Sequence, residues 1–312
     1  MTGAAPAPKA HPPLGTYAAD ASEAAPATAA STGRLVLVPN TLDLGTEPQD
    51  LSAALPMSVL QWAARLQHWI VEEPKSARAF LKRVDAVVPL QTPLQTLSMV
   101  TLPPPPKGRG HRGGMPPHRN EQGHGRERPS GPRSHDAGAV LDAAQWLAPA
   151  LAGHDVGLLS EAGLPAVADP GAAIVAAAHA RGISVLTLAG PSSLMLALAA
   201  SGLDGQSFAF VGYLPQDAAA RSERIRELEG LSRRFGQTQI FIETPYRNRT
   251  LWSALVECAS PATRLSVSVG LTLPGGWSRT ATVAQWRKEA RSGSGLATEL
   301  PDRLPAVFLL QA

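Results

Sequence analysis

Asp155-Val156-Gly157-Leu158-Leu159, then Ser160-Glu161-Ala162-Gly163-Leu164-Pro165-Ala166-Val167-Ala168-Asp169-Pro170-Gly171, and later Ile183-Ser184-Val185-Leu186-Thr187-Leu188, is the stretch that decides the fold. Val156–Leu159 is a short apolar run too brief for a helix, bounded by a glycine- and proline-rich turn, and reads as a buried strand. Pro170 to Arg181 is alanine-rich and ends at Gly182, the usual residue just past a helix. Ile183–Leu188 reads as a second strand, and Ser192–Ser201 as a helix closed by Gly202. Strands that alternate with helices imply parallel pairing and an open α/β sheet.

Outward toward the N-terminus, Leu35–Val38 is another buried strand, ended by Pro39. Pro56 opens a helix with Val59, Leu60, Ala63, Ala64 and Leu66 on one side, proline being tolerated in a first turn. His68–Val71 is a strand and Lys75–Val84 a helix. A helix runs from about Ala137 to Leu151. Toward the C-terminus, Phe208–Gly212, Thr238–Ile242, Leu265–Val269, Thr280–Val283 and Ala306–Leu310 read as strands. Pro215–Gly230 and Asn248–Cys258 read as helices. The organisation expected is a disordered tail over 1–32, an N-terminal α/β domain over 33–205 interrupted at 103–135, and a C-terminal α/β domain over 206–312.

Composition supports that division. Hydrophobic residues make up 44% of the 312, enough for a core, but charged residues only 17%, beside 28 glycines and 29 prolines. Part of such a chain does not pack. Residues 1–32, rich in Ala, Pro, Ser and Thr, and residues 103–135, with four successive prolines and almost no apolar side chain, are the unpacked parts. The second segment holds seven basic residues (Lys107, Arg109, Arg112, Arg119, Arg126, Arg128 and Arg133) against Glu121 and Glu127, so it alone carries the basic excess of a chain whose net charge is +3. Its Gly108-Arg109-Gly110-His111-Arg112-Gly113-Gly114 run resembles arginine–glycine segments that bind RNA, although a solvated insertion serves as the plainer reading. RNA or a ribosomal subunit is therefore a partner expected through Lys107–Arg133. The spacing of His111, His118, His124 and His135 is irregular, and no metal site is expected. Cys258 is the single cysteine, which excludes an intrachain disulfide and reads as a buried structural thiol. No run reaches the length of a membrane span, and residues 1–32 lack a secretory apolar region. No membrane association and a cytoplasmic location are expected.

Three loops follow strands at the edge where open α/β sheets bind ligands. They are Ser160–Gly171, Ala189-Gly190-Pro191-Ser192-Ser193, and Glu243-Thr244-Pro245-Tyr246-Arg247. Gly163, Gly171 and Gly190 permit close backbone approach. Ser192 either caps its helix or offers a hydroxyl to a ligand, and Asp169 likewise either caps or binds. Glu161, Asp169 and Glu243 can accept hydrogen bonds from an amino acid, a ribose or an adenine, and suit a sulfonium electrostatically. Neither the dinucleotide glycine pattern nor a phosphate P-loop is present.

Taken in order, S-E-A-G-L-P-A-V-A-D-P-G, A-G-P-S-S, F-A-F-V-G-Y-L-P and I-F-I-E-T-P-Y-R resemble the motif series of the tetrapyrrole methylase superfamily, in the branch that methylates a cytidine ribose of small-subunit rRNA. Ile70-Val71-Glu72-Glu73 with Ala77–Leu81 resembles that branch's early strand and helix. The resemblance implies two α/β domains, an open mostly parallel sheet in the first and a mixed sheet in the second. It further implies S-adenosyl-L-methionine in a trough between them, and a homodimer. Carried over by motif, the cofactor contacts are Pro39, Gly163, Leu164, Pro165, Val167, Ser192, Ser193, Glu243, Thr244 and Val307. The chain departs from the pattern at Pro39–Leu44, which lacks the glycine of the usual turn, at Glu161 and Leu164, and at Tyr246, where a histidine is frequent.

The activity implied is methyl transfer to RNA. The alternatives are methylation of a tetrapyrrole or other small molecule, and a non-catalytic protein that kept the fold. A ribose hydroxyl is a poor nucleophile and needs a base; Glu161, Asp169 and Glu243 are the candidates, with Glu161 and Asp169 as the catalytic pair expected.

Overall fold

A computed structural model describes residues 32–42, 50–103, 143–292, 300–301 and 303–312. The tail expected over 1–32 and the insertion expected over 103–135, with its arginines and histidines, fall outside these residues apart from Thr32 and Pro103.

The first sheet contains β1 (Leu35–Val38), β2 (His68–Val71), β3 (Ser98–Thr101), β4 (Val156–Leu159) and β5 (Val185–Thr187), in the spatial order β3-β2-β4-β1-β5. Every pairing in it is parallel. The four residues of β1 are all buried because both faces of the strand are covered. Val36 and Val38 face one apolar layer, with Leu60 and Ala63 of α1 (Met57–Arg65) and Phe80 and Leu81 of α2 (Pro74–Asp85). Leu35 and Leu37 face the other, with Leu147, Ala150 of α3 (Ala148–Leu151), and Ile174 and Ala178 of α4 (Ala172–Ala180). This is the alternation that a strand's period of two demands.

The order of strands creates the site. β1 connects through α1 to β2 on one side, whereas β4 connects through α4 to β5 on the other. The two connections run in opposite directions over opposite faces of the sheet, each passing the other's starting strand, and the ends of β1 and β4 pair Val38 with Leu159. A crevice opens beyond those carboxyl ends.

The second sheet has β6 (Phe208–Tyr213), β7 (Thr238–Glu243), β8 (Arg264–Val269), β9 (Trp277–Thr282) and β10 (Ala306–Gln311), in the order β6-β7-β10-β8-β9. It is mixed: β6 and β7 run parallel, and the remaining pairs are antiparallel. One face packs Phe241, Val267 and Phe308 against α6 (Ala218–Phe235), α7 (Asn248–Cys258) and α8 (Val283–Ser292). The other packs Ile240, Val307 and Leu309 against Leu194, Ala197 and Leu198 of α5 (Ser193–Ser201). Helix α5 thus leaves the end of β5 and lies on the second sheet, bringing its own first turn beside both.

Several elements differ from expectation. β3 was not anticipated; it is an edge strand that pairs only with β2, and its side chains are at most half-buried, so it lacks a buried apolar run. Residues expected as a strand over 280–283 are the end of β9 and the start of α8. There Thr282 and Gln285 form a capping box, Gln285 Oε1 accepting from the Thr282 amide (2.9 Å) and Thr282 Oγ1 from the Gln285 amide (3.2 Å). Helix α6 starts three residues after Pro215, capped by Asp217, and runs past Gly230 to Gly236, whose left-handed φ of 62° ends it. Cys258 is half-buried at the end of α7, packed against the core rather than enclosed in it. Among the described residues no helix is long and apolar enough to cross a membrane.

Candidate functional site

The turn after β4 is held by the residue after Pro39. The main chains of Asn40 and Gly163 exchange two hydrogen bonds, Asn40 N–H to the Gly163 carbonyl (3.0 Å) and the reverse (2.9 Å). The Asn40 side chain is buried, and its amide nitrogen donates to the carbonyls of Ser160 and Glu161, each at 3.1 Å. Its Oδ1 accepts from the Thr41 amide at 2.8 Å. One side chain thus satisfies three main-chain groups of a loop that supplies no ladder bonds for them.

That clasp sets Gly163 at φ +75°, and an added Cβ there meets only the Pro191 carbonyl, at 3.8 Å. Ala166, Ala168 and Thr272 also hold left-handed φ of 66°, 64° and 73°. Alanine and threonine disfavour that region, and strain of this kind persists where surrounding structure enforces it, most often at ligand sites.

Between the two sheets lies a cavity of about 280 Å³. The first sheet's loops contribute Gly163, Leu164, Val167, Ala168, Asp169, Ser192 and Ser193 to its walls. The second sheet contributes Tyr213, Ile242, Glu243, Thr244 and Val307. Eight of the ten residues expected to contact a cofactor, with Asp169, therefore meet in one cavity although they come from four separate segments. Ile242, Leu271 and Tyr213 join them without having been foreseen; their apolar or aromatic character in sequence is that of any strand or loop residue.

Three expected positions are corrected. Pro39 is not among the cavity's lining residues but packs on Gly190, where an added Cβ would come within 2.2 Å of the Pro39 Cβ. Pro165 is buried beneath the loop and likewise does not line the cavity. Glu161 turns away into a side recess of about 200 Å³ with Asn40, Leu42, Ser76, Phe80, Arg83 and Ala162. Two open alternatives also resolve. Ser192 makes no side-chain cap to α5, and α4 begins with Gly171 as its cap residue, so neither Ser192 nor Asp169 is spent on capping.

The carboxylates differ in environment. Glu243 is buried; its Oε1 accepts from the Thr244 amide (2.8 Å) and hydroxyl (3.1 Å), and its Oε2 pairs with Arg247 at 3.0 Å. Oε1 is thus held by Thr244 and Oε2 faces Arg247, in the wall of the cavity. Glu161 accepts from the Ser76 hydroxyl at 2.6 Å, and its amide donates to Glu72 at 3.3 Å. Asp169 is pushed up to about 7 by burial, with the charges of Glu72 and Glu161 adding to it. Tyr213 is raised by burial and by Asp169 and Glu243, which places those groups around one point of the cavity. A carboxyl group that titrates near neutrality in a ligand-sized cavity is suited to proton transfer. Among the described residues no group of His, Cys, Asp and Glu could hold a metal ion.

Residues 75–285 match the family described as Tetrapyrrole (Corrin/Porphyrin) Methylases. The chain is 40% identical over 97 residues to the ribosomal RNA small subunit methyltransferase I of Vibrio cholerae, covering 31% of this chain and 32% of that protein. It is 35% identical over 147 residues to the protein of the same name from Mesorhizobium japonicum, covering 47% and 48%. The matches thus span about a third to a half of the length of these relatives. A uroporphyrin III C-methyltransferase structure from Thermus thermophilus aligns over 89% of this chain and 97% of its own, with a TM-score of 0.46 and 17% identity.

Proposed function

The chain belongs to the tetrapyrrole (corrin/porphyrin) methylase family, and from that premise we propose that it transfers a methyl group from S-adenosyl-L-methionine to RNA, at a ribose 2′-hydroxyl of the small ribosomal subunit. The observation that carries the reading is the convergence of Gly163, Asp169, Ser192, Ser193, Glu243, Thr244 and Val307 on one cavity between the sheets. Two relatives named ribosomal RNA small subunit methyltransferase I support the RNA acceptor.

The residues fit the cofactor. The left-handed turn at Gly163 leaves a cradle in which main chain can approach a ligand. Ser192 and Ser193 offer hydroxyls, Asp169 a carboxylate, and Leu164, Ile242, Leu271 and Val307 an apolar surface for a flat base. When bound, the cofactor supplies an activated methyl on a sulfonium, so the protein's work is positioning and proton removal. The Gly163 loop and the α5 turn orient it, with Tyr213 on the opposite wall of the cavity. Asp169 takes the proton from the acceptor hydroxyl, since its pKa of about 7 matches neutral conditions. Glu161 acts through position rather than as the base.

The protein works as a cytoplasmic homodimer, and the Lys107–Arg133 insertion serves as an RNA tether through phosphate contacts, to be tested by deleting it and measuring RNA affinity against salt. The deciding experiment is calorimetric titration with S-adenosyl-L-methionine, followed by incubation with methyl-labelled cofactor and unmethylated small ribosomal subunits. Binding with label in RNA supports the reading. Binding without transfer moves the acceptor to a tetrapyrrole or other small molecule. No binding at millimolar cofactor leaves a non-catalytic protein.

A further inference from the structure

The edge strand β6 carries three aromatic side chains that the fold leaves partly open. Its sequence is Phe208-Ala209-Phe210-Val211-Gly212-Tyr213, and Phe208, Phe210 and Tyr213 keep 39%, 37% and 44% of their surface exposed. The strand's period of two puts Phe208 and Phe210 on one face and turns Val211 into the core on the other. Beyond Phe210 the register shifts. Phe210 pairs with Ile240 and Tyr213 with Ile242, so that Val211 and Gly212 together stand opposite Phe241. Gly212, at a φ of 73°, takes up the extra residue of this bulge. Tyr213 thereby returns to the face of the two phenylalanines. That face is the one α5 lies on, but α5 packs over β8, β9 and β10, and β6 is at the far edge of the sheet.

Position decides what such a row can hold. Tyr213 also lines the main cavity, the site of methyl transfer proposed above, whereas Phe208 and Phe210 do not. The row therefore leads from the cavity wall outward along the strand, Phe208 and Phe210 standing about 7 Å apart. An RNA with one nucleotide in the cavity has to leave it along some surface. No residue of 206–213 is charged, so phosphates gain nothing along this row, whereas unpaired bases do, because every base has a face that stacks on an aromatic ring. RNA recognition motifs hold single strands on aromatic side chains of an open sheet in this manner. The six residues from Phe208 to Tyr213 follow the aromatic, small, Phe, Val, any, aromatic order of the strand used there, with Gln206 and Ser207 in place of its leading basic residue and glycine. Resting on the methyl-transfer reading above, we propose that the open face of β6 is a stacking platform for unpaired bases of the RNA beside the acceptor nucleotide, with Phe208 and Phe210 as its anchors. A second copy of the chain docked on this face would instead close the way out of the cavity at Tyr213.

The test uses the full chain and a labelled single-stranded octa-adenylate, with binding followed by fluorescence anisotropy across a salt series. Affinity for S-adenosyl-L-homocysteine is measured separately by calorimetry, and the size of each variant by sedimentation. Phe208→Ala and Phe210→Ala should each weaken RNA binding about tenfold. The dependence on salt should stay as in the parent, since stacking releases no counterions. Phe210→Trp should bind at least as well as the parent. Phe210→Leu should bind as weakly as the alanine variant, because leucine fills the space without offering a ring. Affinity for the homocysteine compound should be the parent's in all four. Unchanged RNA affinity in both alanine variants of a chain that binds the homocysteine compound overturns the platform and leaves the methyltransferase reading intact. Weakened RNA binding in those variants of a chain that binds no homocysteine compound keeps the platform and overturns the methyltransferase reading. A Phe210→Leu variant that binds RNA like the parent, or a Phe210→Ala variant that sediments as a smaller species than the parent, marks the face as ordinary apolar packing or as an interface between copies, and overturns the platform.

Discussion

Asn40 and Gly163, 123 positions apart, are bonded main chain to main chain in both directions, at 3.0 and 2.9 Å. The strand β1 thereby fixes the turn that follows β4 by a single antiparallel bridge beyond the parallel sheet. Asn40→Ala removes the two side-chain bonds to Ser160 and Glu161 and leaves both carbonyls without that partner. Each buried bond lost costs about 1–2 kcal/mol, so the variant should lose roughly 2–3 kcal/mol. It should also bind S-adenosyl-L-methionine at least tenfold more weakly. Asn40→Asp should be worse, since its carboxylate faces two carbonyl oxygens. Urea denaturation with calorimetry checks this; a variant as stable as the parent with unchanged affinity would dismiss the clasp.

Gly190 offers a steric test of the neighbouring loop. An alanine Cβ there would lie 2.2 Å from the Cβ and 2.4 Å from the Cγ of Pro39, far inside contact distance. Gly190→Ala must push β5's loop away from β1, at about 1–3 kcal/mol for an overpacked site, and must carry Ser192 and Ser193 with it. Gly163→Ala meets open space, and its cost is only that of a left-handed alanine, about 1 kcal/mol. The melting temperature should therefore fall more for Gly190→Ala than for Gly163→Ala; the opposite order would mean that backbone conformation, not contact, governs this region.

Asp169 carries a pH signature in both activity and stability. Its folded pKa of about 7 lies above the 3.8 of an ordinary aspartate, so the native state holds a proton that the unfolded chain releases. Stability from this group is full below about pH 4 and is lost as pH rises through about 7. Asp169→Asn should then be more stable than the parent at pH 8, by about 1–2 kcal/mol once the solvent still reaching the group is discounted. The difference should vanish near pH 4. Methyl transfer in the parent should rise with pH through about 7 and level above it, and the variant should lose that inflection. Chemical denaturation at the two pH values, beside a pH–rate profile, tests both arms.

The elements most legible in sequence were those where one signal sufficed. The buried run Leu35–Val38 and the Gly202 stop of α5 come from local patterning that tertiary contacts then reinforced. β3 was illegible because an edge strand needs no apolar run. α8 was legible and overlooked: Thr282 and Gln285 spell a capping box, but the β-favouring residues before them dominated the reading. The site divides in the same way. Loop motifs named most of its lining, and motif resemblance rather than periodicity did so. Pro39 and Gly190 explain each other only in three dimensions, and nothing near Asn40 in sequence announces bonds to residues about 120 positions away. Whether Ser192 and Asp169 cap helices or face a ligand is undecidable locally, because both uses place the same residue at the same turn.

Glu243 and Arg247 provide the remaining prediction. The carboxylate is 6% exposed, and Arg247 is its only charged partner among the described salt bridges. Removing the guanidinium leaves a buried charge that Thr244 alone must stabilise, and breaking one side of such a pair costs about 3–5 kcal/mol. Arg247→Ala should therefore destabilise the chain far more than a surface change. Glu243→Gln with Arg247→Met removes both charges and should recover most of the loss, because the ion pair's net contribution is small once its desolvation is counted. The effect reaches the cavity through the backbone: Glu243 pairs with Ala306 at the end of β10, and both line the wall opposite Asp169's loop. If the double variant regains stability and cofactor affinity together, Glu243 serves as a structural strut of that wall. If it regains stability alone, the carboxylate itself contacts the ligand.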